Sequence, residues 1–437
     1  MAQSPYLEYL KTIKRPFMKL AKLDFLQPDN SVAFSLDNNP RGSGNKTYSG
    51  KAFIQSGNLS VSLNNGQRRK ATITLANRDR AFDFAVNNIW FGQRIRLSMG
   101  VRLYDGTDFY LPQMVGYVSN PQLLYNPQQR TSSFPLVDKW AALDGTECGI
   151  LPSSYKIDRN VNILSAIRDI LHLSRYTLGT TSDIAAQLDN VLPVLTNYYD
   201  DKIYSAADSD GSITQNISML LTPYTVTEAM GSNVGKLILQ LNEMLAGIVG
   251  YNAAGEFTLE PSEDDISDLE KPVLWTFTPD EKTLLYVNET LKTDSVYNDV
   301  IITGEGVSGK EVWGRAQNFD PKSETNINLI GSKTLVESNA NYWNAQQCVS
   351  LAAWKLKRKT VLQKSIVLSS SQMFHLEENR LIRVKRIDKE GQPYETHLIN
   401  SFTLPIGETG AMSINCTSVN DIGTITTTSS GADQQND

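Results

Sequence analysis

Residues 57–77 read GNLSVSLNNGQRRKATITLAN, and this stretch predicts a β-hairpin. Apolar and polar residues alternate over 60–63 and again over 71–75, a period of two that is typical of half-buried strands. Between the two runs, Asn64-Asn65-Gly66 supplies residues that tolerate positive φ, as a tight hairpin turn requires. The stretch therefore predicts an antiparallel β-sheet near the start of the chain.

Further short strands are predicted after this hairpin and again near the end of the chain. In the first part they lie at 94–98, 101–104, 109–111, 114–118 and 132–137. Strands at this spacing predict a small barrel or sandwich over about 17–145. In the last part they lie at 296–303, 311–317, 364–370, 380–387, 395–403 and 410–416.

Four predicted helices interrupt the strands. The first follows Pro5 and is broken by Pro16, the second spans 160–178, the third spans 233–249 with Ser232 as its cap, and the fourth spans 342–358. The predicted fold class is mainly β with α insertions (α+β), in three domains. These are an N-terminal β-barrel with a leading helix (1–145), a middle acidic α+β domain (146–289) and a C-terminal β-barrel (290–423). Residues 424–437 are polar and of low complexity, so we expect a disordered tail.

Charge is divided unevenly along the 437 residues. Residues 1–145 carry a net charge of +8, residues 146–290 carry −13, and residues 291–437 carry −1. This asymmetry indicates surfaces that face different partners. Sequence-specific nucleic-acid binding is not expected, because the basic part has no dense Lys/Arg run and the acidic part would repel phosphate. Stable membrane insertion is not expected either, since no apolar run of about 18 residues occurs. A lysine-rich helix near the N-terminus that lies on a membrane surface is an alternative, which Pro16 disfavours because it breaks the helix face.

Two motifs resemble ligand-binding loops. Residues 304–309, GEGVSG, match the G-x-G-x-x-G pattern, yet the residues that follow read as a strand and not as the helix whose amides would hold a pyrophosphate. We therefore expect a hairpin loop there. Asp208-Ser-Asp210-Gly211 resembles the start of a calcium loop, but Met219 and Leu220 stand where the bidentate glutamate would be. We predict no cofactor and no metal site.

No constellation of catalytic residues is recognisable. The histidines His172, His375 and His397 are scattered, and neither a nucleophile elbow nor an H-E-x-x-H motif occurs. The cysteines Cys148, Cys348 and Cys416 are far apart and odd in number, which indicates a reducing compartment. We expect no catalytic residues and no enzyme, but a structural or adhesive protein.

Two stretches of the chain resemble the tail hub, or baseplate hub, proteins of tailed bacteriophages. In the first, residues 57–77 are similar to the opening hub strands. Residues 89–97, IWFGQRIRL, resemble the W-x-G-x-x-I-x-L strand, and residues 138–143, DKWAAL, resemble the D-x-W-x-x-L exit from the first domain. The second stretch begins at Val300 and contains residues 318–323, NFDPKS, followed by the helix from Ala345.

The last part of this second resemblance departs from the family pattern. Residues 376–384, LEENRLIRV, are similar to L-x-x-G-D-x-V-x-V, but Glu378-Asn379 replaces Gly-Asp, so the turn is altered while the strand register is kept. Residues 236–261 also resemble the family, as a helix, a glycine-containing turn and a strand that ends in proline.

The resemblance implies a homotrimer. Two similar hub-type barrels per chain would give three copies a pseudo-sixfold ring, which would adapt the sixfold tail tube or distal tail protein to a threefold tip or spike protein. The ring would line the ejection channel for DNA and the tape-measure protein. The protein would then be a structural virion component of the tail tip or baseplate, assembled in the cytoplasm of the bacterial host.

Charge suggests which residues face these partners. The acidic candidates face either the channel lumen or a basic partner, with simple solvation of an outer surface as the alternative; they are Asp200, Asp201, Asp208, Asp210, Glu263, Asp264 and Asp265. Arg94 and Arg96 share one face of a predicted strand and are candidates for contact with an acidic neighbour such as the tube end. The main alternative function is a receptor- or glycan-binding tail protein, for which clustered exposed aromatic residues would be the sign.

Overall fold

The computed structural model describes residues 4–38, 53–77, 80, 82–84, 92–125, 130–173, 196, 203–207, 213–261, 271–278, 283–291, 296–306, 309–360, 364–385, 394–407, 410–418 and 424–430. Strands outnumber helices within these residues. The α-helices, here α1 to α5, are Pro5–Thr12, Ile163–Leu171, Val234–Met244, Ile327–Ile330 and Ala345–Thr360. A 3-10 helix spans Lys139–Ala142.

The strands are numbered β1 to β24 in chain order. Those of the first 150 residues are β1 Lys19–Leu26, β2 Val32–Asp37, β3 Ile54–Ser62, β4 Arg69–Ala76, β5 Arg94–Arg102, β6 Asp108–Val118, β7 Gln122–Tyr125 and β8 Arg130–Asp138. Those of the middle are β9 Tyr155–Ile157, β10 Ile203–Ala207, β11 Ile213–Ser218, β12 Val226–Glu228, β13 Gly247–Tyr251, β14 Phe257–Pro261, β15 Val273–Phe277 and β16 Leu284–Leu291. The remainder are β17 Asp299–Glu305, β18 Glu311–Asn318, β19 Thr334–Asn339, β20 Lys364–Ser370, β21 Leu381–Val384, β22 Glu395–Ile406, β23 Met412–Ser418 and β24 Ile425–Ser429. The predicted fold class, mainly β with α insertions, is confirmed.

The largest sheet joins both ends of the chain. Its main path runs β16-β20-β23-β22-β3-β4-β8-β6-β5-β1-β2, with β7 paired to β8, and with β21 paired to β22 and to β15. The junction between the two halves is the antiparallel pair β3–β22, in which Leu59 faces Leu404 and Val61 faces Phe402. These four side chains are buried in one hydrophobic core that receives residues from both halves of the chain. The strands of the N-terminal half and strands β20 to β23 therefore depend on each other for burial of their apolar side chains.

The predicted hairpin at 57–77 is confirmed, with a longer connection than the turn signal indicates. Strands β3 and β4 pair in antiparallel register, and Gly66 has a φ of 89° between them. The connection is held by another part of the chain, since Gly66 N–H donates to the Val249 carbonyl and Asn65 Oδ1 accepts from Val249 N–H. The hairpin loop thus docks on β13, and this contact replaces a tight two-residue turn.

The second sheet has four strands in the order β19-β17-β18-β24, and helix α5 packs on one face. Gly304 and Gly314 allow this approach, because a Cβ on Gly304 would lie 2.0 Å from the Tyr342 carbonyl oxygen and one on Gly314 2.2 Å from the Val349 nitrogen. Strands β17 and β18 pair as an antiparallel hairpin, as predicted for the segment that contains residues 304–309, and Gly304 and Glu305 are the last two residues of β17. The glycine spacing therefore serves helix packing.

This four-stranded sheet shares its core with helices α2 and α3, whereas β20 to β23 share theirs with the N-terminal strands. The segment 290–423 thus contributes to both cores, and the division into three domains stays a prediction. One difference from the sequence prediction concerns residues 424–430, whereas residues 431–437 of the predicted disordered tail lie outside the described residues. Ile425–Ser429 form β24, which pairs with β18, because Ile425 packs against the α2–α3 core and Ser430 closes hydrogen bonds with Trp313.

The helix ends also differ from the prediction. Asn233, and not Ser232, caps α3, because its Oδ1 accepts from Lys236 N–H. The helix ends at Met244, where Ala246 takes a φ of 51° and turns the chain into β13. Helix α5 begins at Ala345, three residues later than predicted.

Candidate assembly surfaces and the charged junction

The sequence candidates for partner contact are unequally placed. The acidic candidates, Asp200, Asp201, Asp208, Asp210, Glu263, Asp264 and Asp265, lie outside the described residues. Arg94 and Arg96 lie on β5. Arg94 is buried, and its guanidinium donates to Asn30 Oδ1 at 2.6 Å, the Pro28 carbonyl at 2.7 Å and the Gln27 carbonyl at 3.1 Å. Its charge therefore fixes the turn after β1 within the chain.

Arg96 is more accessible, with its side chain 36% exposed. Its Nη2 lies 2.8 Å from Oδ2 of Asp24, and Lys22 Nζ lies 3.3 Å from the same oxygen. Burial opposes ionisation of Asp24, but hydrogen bonds from Ser35 and Arg96 hold the pKa of its carboxyl below the ordinary value. The guanidinium of Arg96 therefore stays partly exposed on β5. Contact with an acidic partner remains a prediction, and Arg96 fits it better than the buried Arg94.

A set of buried and partly buried charged residues links three distant parts of the chain, and we name it the charged junction: Arg68, Arg69, Asp138, Glu260, Glu378 and Arg380. At its centre Arg69 Nη2 lies 2.6 Å from Glu378 Oε2, with both side chains almost fully buried. Arg68 Nη1 lies 3.7 Å from the other oxygen of Glu378. Forming a buried ion pair of this kind costs desolvation energy, and removing one partner strongly destabilises the folded protein.

Asp138 completes the N-terminal side of the junction. Its Oδ2 accepts the backbone N–H groups of Arg68 and Arg69 at 2.8 Å each, and its Oδ1 accepts Trp140 N–H at 3.1 Å. Burial raises the pKa of Asp138 to about 6, while these three donors act in the opposite direction. The carboxyl therefore caps the 3-10 helix and fixes the start of β4 at the same time.

Glu260 and Arg380 tie the middle part to the C-terminal strands. Their side chains form a bidentate pair with two contacts of 3.0 Å. Burial opposes ionisation of Glu260, but the Arg380 hydrogen bonds hold its pKa below the ordinary value. Asn379 also donates to Glu260, at 2.9 Å, and adopts a φ of 59°. The junction thus holds β4, β14 and the turn before β21 in one arrangement.

This geometry corrects the alignment of the altered family motif. When L-x-x-G-D-x-V-x-V is placed on Leu376 and Val384, its glycine falls at Asn379 and its aspartate at Arg380, one residue later than Glu378-Asn379. The positive φ of Asn379 gives the physical reason, because asparagine tolerates the left-handed region that glycine favours. The remaining junction residues were missed from the sequence. The available signals were the departure from the motif at this turn and the match of Asp138 to the D-x-W-x-x-L pattern.

The N-terminal helix is fixed to the C-terminal half by Tyr9. Its side chain is buried, its hydroxyl oxygen accepts Phe374 N–H at 2.9 Å, and the hydroxyl lies 3.0 Å from His375 Nδ1. Because the hydroxyl accepts from Phe374, its own proton is available to His375. Burial lowers the pKa of His375 to about 4. His375 is thus a neutral core residue, beside Trp275, that holds α1 in place.

The main path of the large sheet ends at β2 and at β16, while β7 and β15 are side strands with one neighbour each among the described strands. At β16 a bulge opposite Ser369 and Ser370 turns Leu285 and Tyr286 outward, and each is 60% exposed. At β2 Val32 is exposed beside a bulge in the pairing with β1. Adjacent exposed apolar residues at a sheet end indicate a contact surface.

The described residues contain no group of three His, Cys, Asp or Glu side chains that could hold a metal ion. Asp208 and Asp210 of the calcium-like motif lie outside them. Burial raises the pKa of the Cys348 thiol to about 12 and that of Cys148 to about 11, so both stay protonated at neutral pH. In the described part of the chain, no helix has the length and apolar character that crossing a membrane requires.

No protein-family model matches the sequence, and no curated protein matches it. Two solved structures have a similar fold. A tail protein from Neisseria meningitidis MC58 has a TM-score of 0.50 at 9% identity, with 93% of this chain and 98% of that chain covered. The 43 kDa tail protein of prophage MuSo2 from Shewanella oneidensis has a TM-score of 0.50 at 12% identity, with 91% and 98% covered. The chain therefore has the fold of these tail proteins, in agreement with its resemblance to the tail hub family of tailed bacteriophages.

Proposed function

We propose that this chain is a structural tail hub protein, of which three copies form a ring between the tail tube or distal tail protein and the tip or spike protein. The observation that carries the proposal is the single sheet that both halves of the chain build through β3 and β22. Two similar hub-type barrels per chain, as the resemblance implies, would give six related units in three copies, which is what a sixfold neighbour requires.

The two ends of the main path of that sheet support ring closure. A cyclic ring needs a heterologous contact, in which one surface of each copy meets a different surface of the next. The β16 end, with Leu285 and Tyr286, and the β2 end, with Val32, are two such surfaces on one sheet. Both ends carry bulges, so we expect side-chain packing rather than a continuous run of strand pairing between copies.

The role in ejection belongs to the same proposal. The ring would line the channel through which DNA and the tape-measure protein pass, with some of the acidic residues facing the lumen, where they would repel phosphate. Arg96 would contact an acidic neighbour on the adjacent ring. The chain would act in the tail tip of the virion after assembly in the host cytoplasm, and no catalytic step is part of this role.

The test is the mass of the purified chain in solution by light scattering, together with negative-stain images of the same peak. One chain is 48.6 kDa, so a trimer is three times that mass and should appear as a ring with a central hole. Leu285→Lys with Tyr286→Lys should give monomers, whereas Met230→Lys, at a 71% exposed position in the turn before α3, should leave the trimer intact. A wild-type chain that stays monomeric even with its neighbouring tail proteins, and binds whole cells, would favour the receptor- or glycan-binding alternative instead.

A further inference from the structure

The edge strand β19 differs from β2 and β16 of the large sheet, because its pairing contains no bulge. It pairs with β17 alone among the described strands, and its register runs without a shift from Thr334, opposite Asp299, to Asn339, opposite Gly304. Natural edge strands avoid further pairing with bulges, proline or outward lysine. Strand β19 has none of these, since its one charged residue, Glu337, is paired with Lys355 of α5.

Alternate residues of β19 form part of an open sheet face. Thr334, Val336 and Ser338 are exposed on the side away from α5, and Val336 is 58% exposed. Val336 lies opposite Ile301 on β17, and Ser338 exchanges a 2.6 Å hydrogen bond with Thr303. The edge therefore offers unpaired backbone N–H and C=O groups among the described strands. Its exposed side chains are apolar at Val336 and carry hydroxyls on either side, at Thr334 and Ser338.

A rigid turn presents more apolar surface beside this edge. Helix α4 is a single turn immediately before β19, and it exposes Leu329 by 70% and Ile330 by 42%. Buried Asn298 holds the surrounding loop, since its Nδ2 donates to the carbonyls of Thr325 and Gly331 and its Oδ1 accepts Lys333 N–H. Two adjacent apolar residues on a loop that is already ordered lose little entropy when they are covered.

We propose that the β19 edge and the Leu329–Ile330 turn together receive an extended segment of another tail protein as a fifth strand of this sheet. Addition of a strand to an exposed edge gives affinity through main-chain hydrogen bonds and specificity through alternate side chains. The segment would carry apolar side chains at the positions beside Val336 and Leu329, with polar side chains between them. The inference rests on the proposed function in one respect, namely that the partner is another component of the tail.

A second copy of this chain fits the edge less well. The other edge of the same sheet is β24, which would meet β19 in a head-to-tail contact between copies. That strand exposes three consecutive threonines at 426–428, and so offers polar rather than apolar side chains. Pairing of β19 with itself would need a twofold axis, which a ring of three copies lacks.

The test is hydrogen–deuterium exchange of the full chain, free in solution and within purified tails. We expect the amides of residues 334–339 to exchange at least tenfold more slowly in tails than in the free chain. A photo-crosslinking residue placed at Val336 should then join the chain to a different tail protein, identified by sequencing the joined peptide. Equal exchange in both states would overturn the inference, as would an adduct with a second copy, or protection that appears in the free chain merely on raising its concentration.

Matched variants separate this contact from folding. Val336→Lys should be incorporated into tails at least tenfold less than Met230→Lys, which places the same charge at a 71% exposed position in the turn before α3. Equal incorporation of the two variants would contradict the inference, provided that both show the wild-type circular dichroism. A wild-type chain that is absent from purified tails would refute the proposed function itself. A chain that is present in tails with an unprotected β19 would refute only the further inference.

Discussion

Replacing Glu378 by glutamine tests whether the charged junction holds the two halves of the sheet together. Glu378 Oε2 lies 2.6 Å from Arg69 Nη2, and both side chains are almost fully buried. Removing one charge from a buried pair costs about 3–5 kcal/mol, because the remaining charge is left without its partner. Arg69 keeps the Gln113 carbonyl as an acceptor at 2.9 Å, so we expect the lower end, about 3 kcal/mol.

The matched control is Asp158→Asn, the same change from acid to amide in an exposed pair. Asp158 Oδ1 lies 2.7 Å from Lys156 Nζ, and both side chains are more than half exposed. Exposed pairs contribute at most about 1 kcal/mol, so this variant should unfold close to the wild type. Urea unfolding followed by tryptophan fluorescence gives the midpoint for each variant. A gap of less than about 1 kcal/mol between the two variants would refute the reasoning.

A second variant distinguishes the ion pair from simple packing at the same place. Arg69→Leu with Glu378→Leu removes both charges of this pair, and such replacements are often neutral or stabilising. Arg68 loses Glu378 as a partner in the double variant just as it does in Glu378→Gln, so the comparison isolates Arg69. We therefore expect the double variant to be more stable than Glu378→Gln. If it is less stable than Glu378→Gln by about 2 kcal/mol or more, the hydrogen bonds of Arg69 and Glu378 with their other neighbours contribute more than the desolvation of the two charges costs.

Three further predictions concern other parts of the fold. Burial lowers the pKa of His375 from 6.5 to about 4, so protonation of this residue should destabilise the fold as pH falls from 6.5 towards 4, by up to roughly 3 kcal/mol. The variant His375→Asn should lose less stability over the same pH range. Urea unfolding midpoints at pH 7.5 and 5.0 measure the difference. Gly314→Ala should destabilise by about 3 kcal/mol, whereas Thr303→Ala on the open face should cost less than about 1 kcal/mol in the same assay. Deletion of residues 424–437 should lower the melting temperature, since it removes β24 from β18, and an unchanged melting temperature would contradict the pairing.

The sequence predicts local structure better than it predicts which strands pair with each other. The alternation in 57–77 and the strand-like residues after Gly309 are local patterns, and both predicted hairpins are present. The pairing of β3 with β22 joins residues more than 300 positions apart, such as Leu59 and Leu404. Period-two alternation identifies a strand and its buried face but carries no information about which strand lies beside it.

The charged junction was beyond prediction for a related reason. Arg68, Arg69 and Glu378 are residue types that usually lie on the surface, so a sequence reading places them in water. Only the folded chain brings them together, from the start of β4 and the turn before β21. The same holds for Arg94, whose alternation with Arg96 indicated two exposed positive charges. One of the two instead binds carbonyl oxygens of a loop that precedes it by more than 60 residues.

The pairing of β3 with β22 also sets the order in which the chain can fold. During synthesis, β3 leaves the ribosome long before β22 exists, so the N-terminal strands must wait with one hydrogen-bonding edge open. Contacts between such distant residues make folding slow, because a long loop must close before they form. We therefore expect fragments that end before residue 395 to aggregate, and the nascent chain to depend on chaperones until its last strands are made.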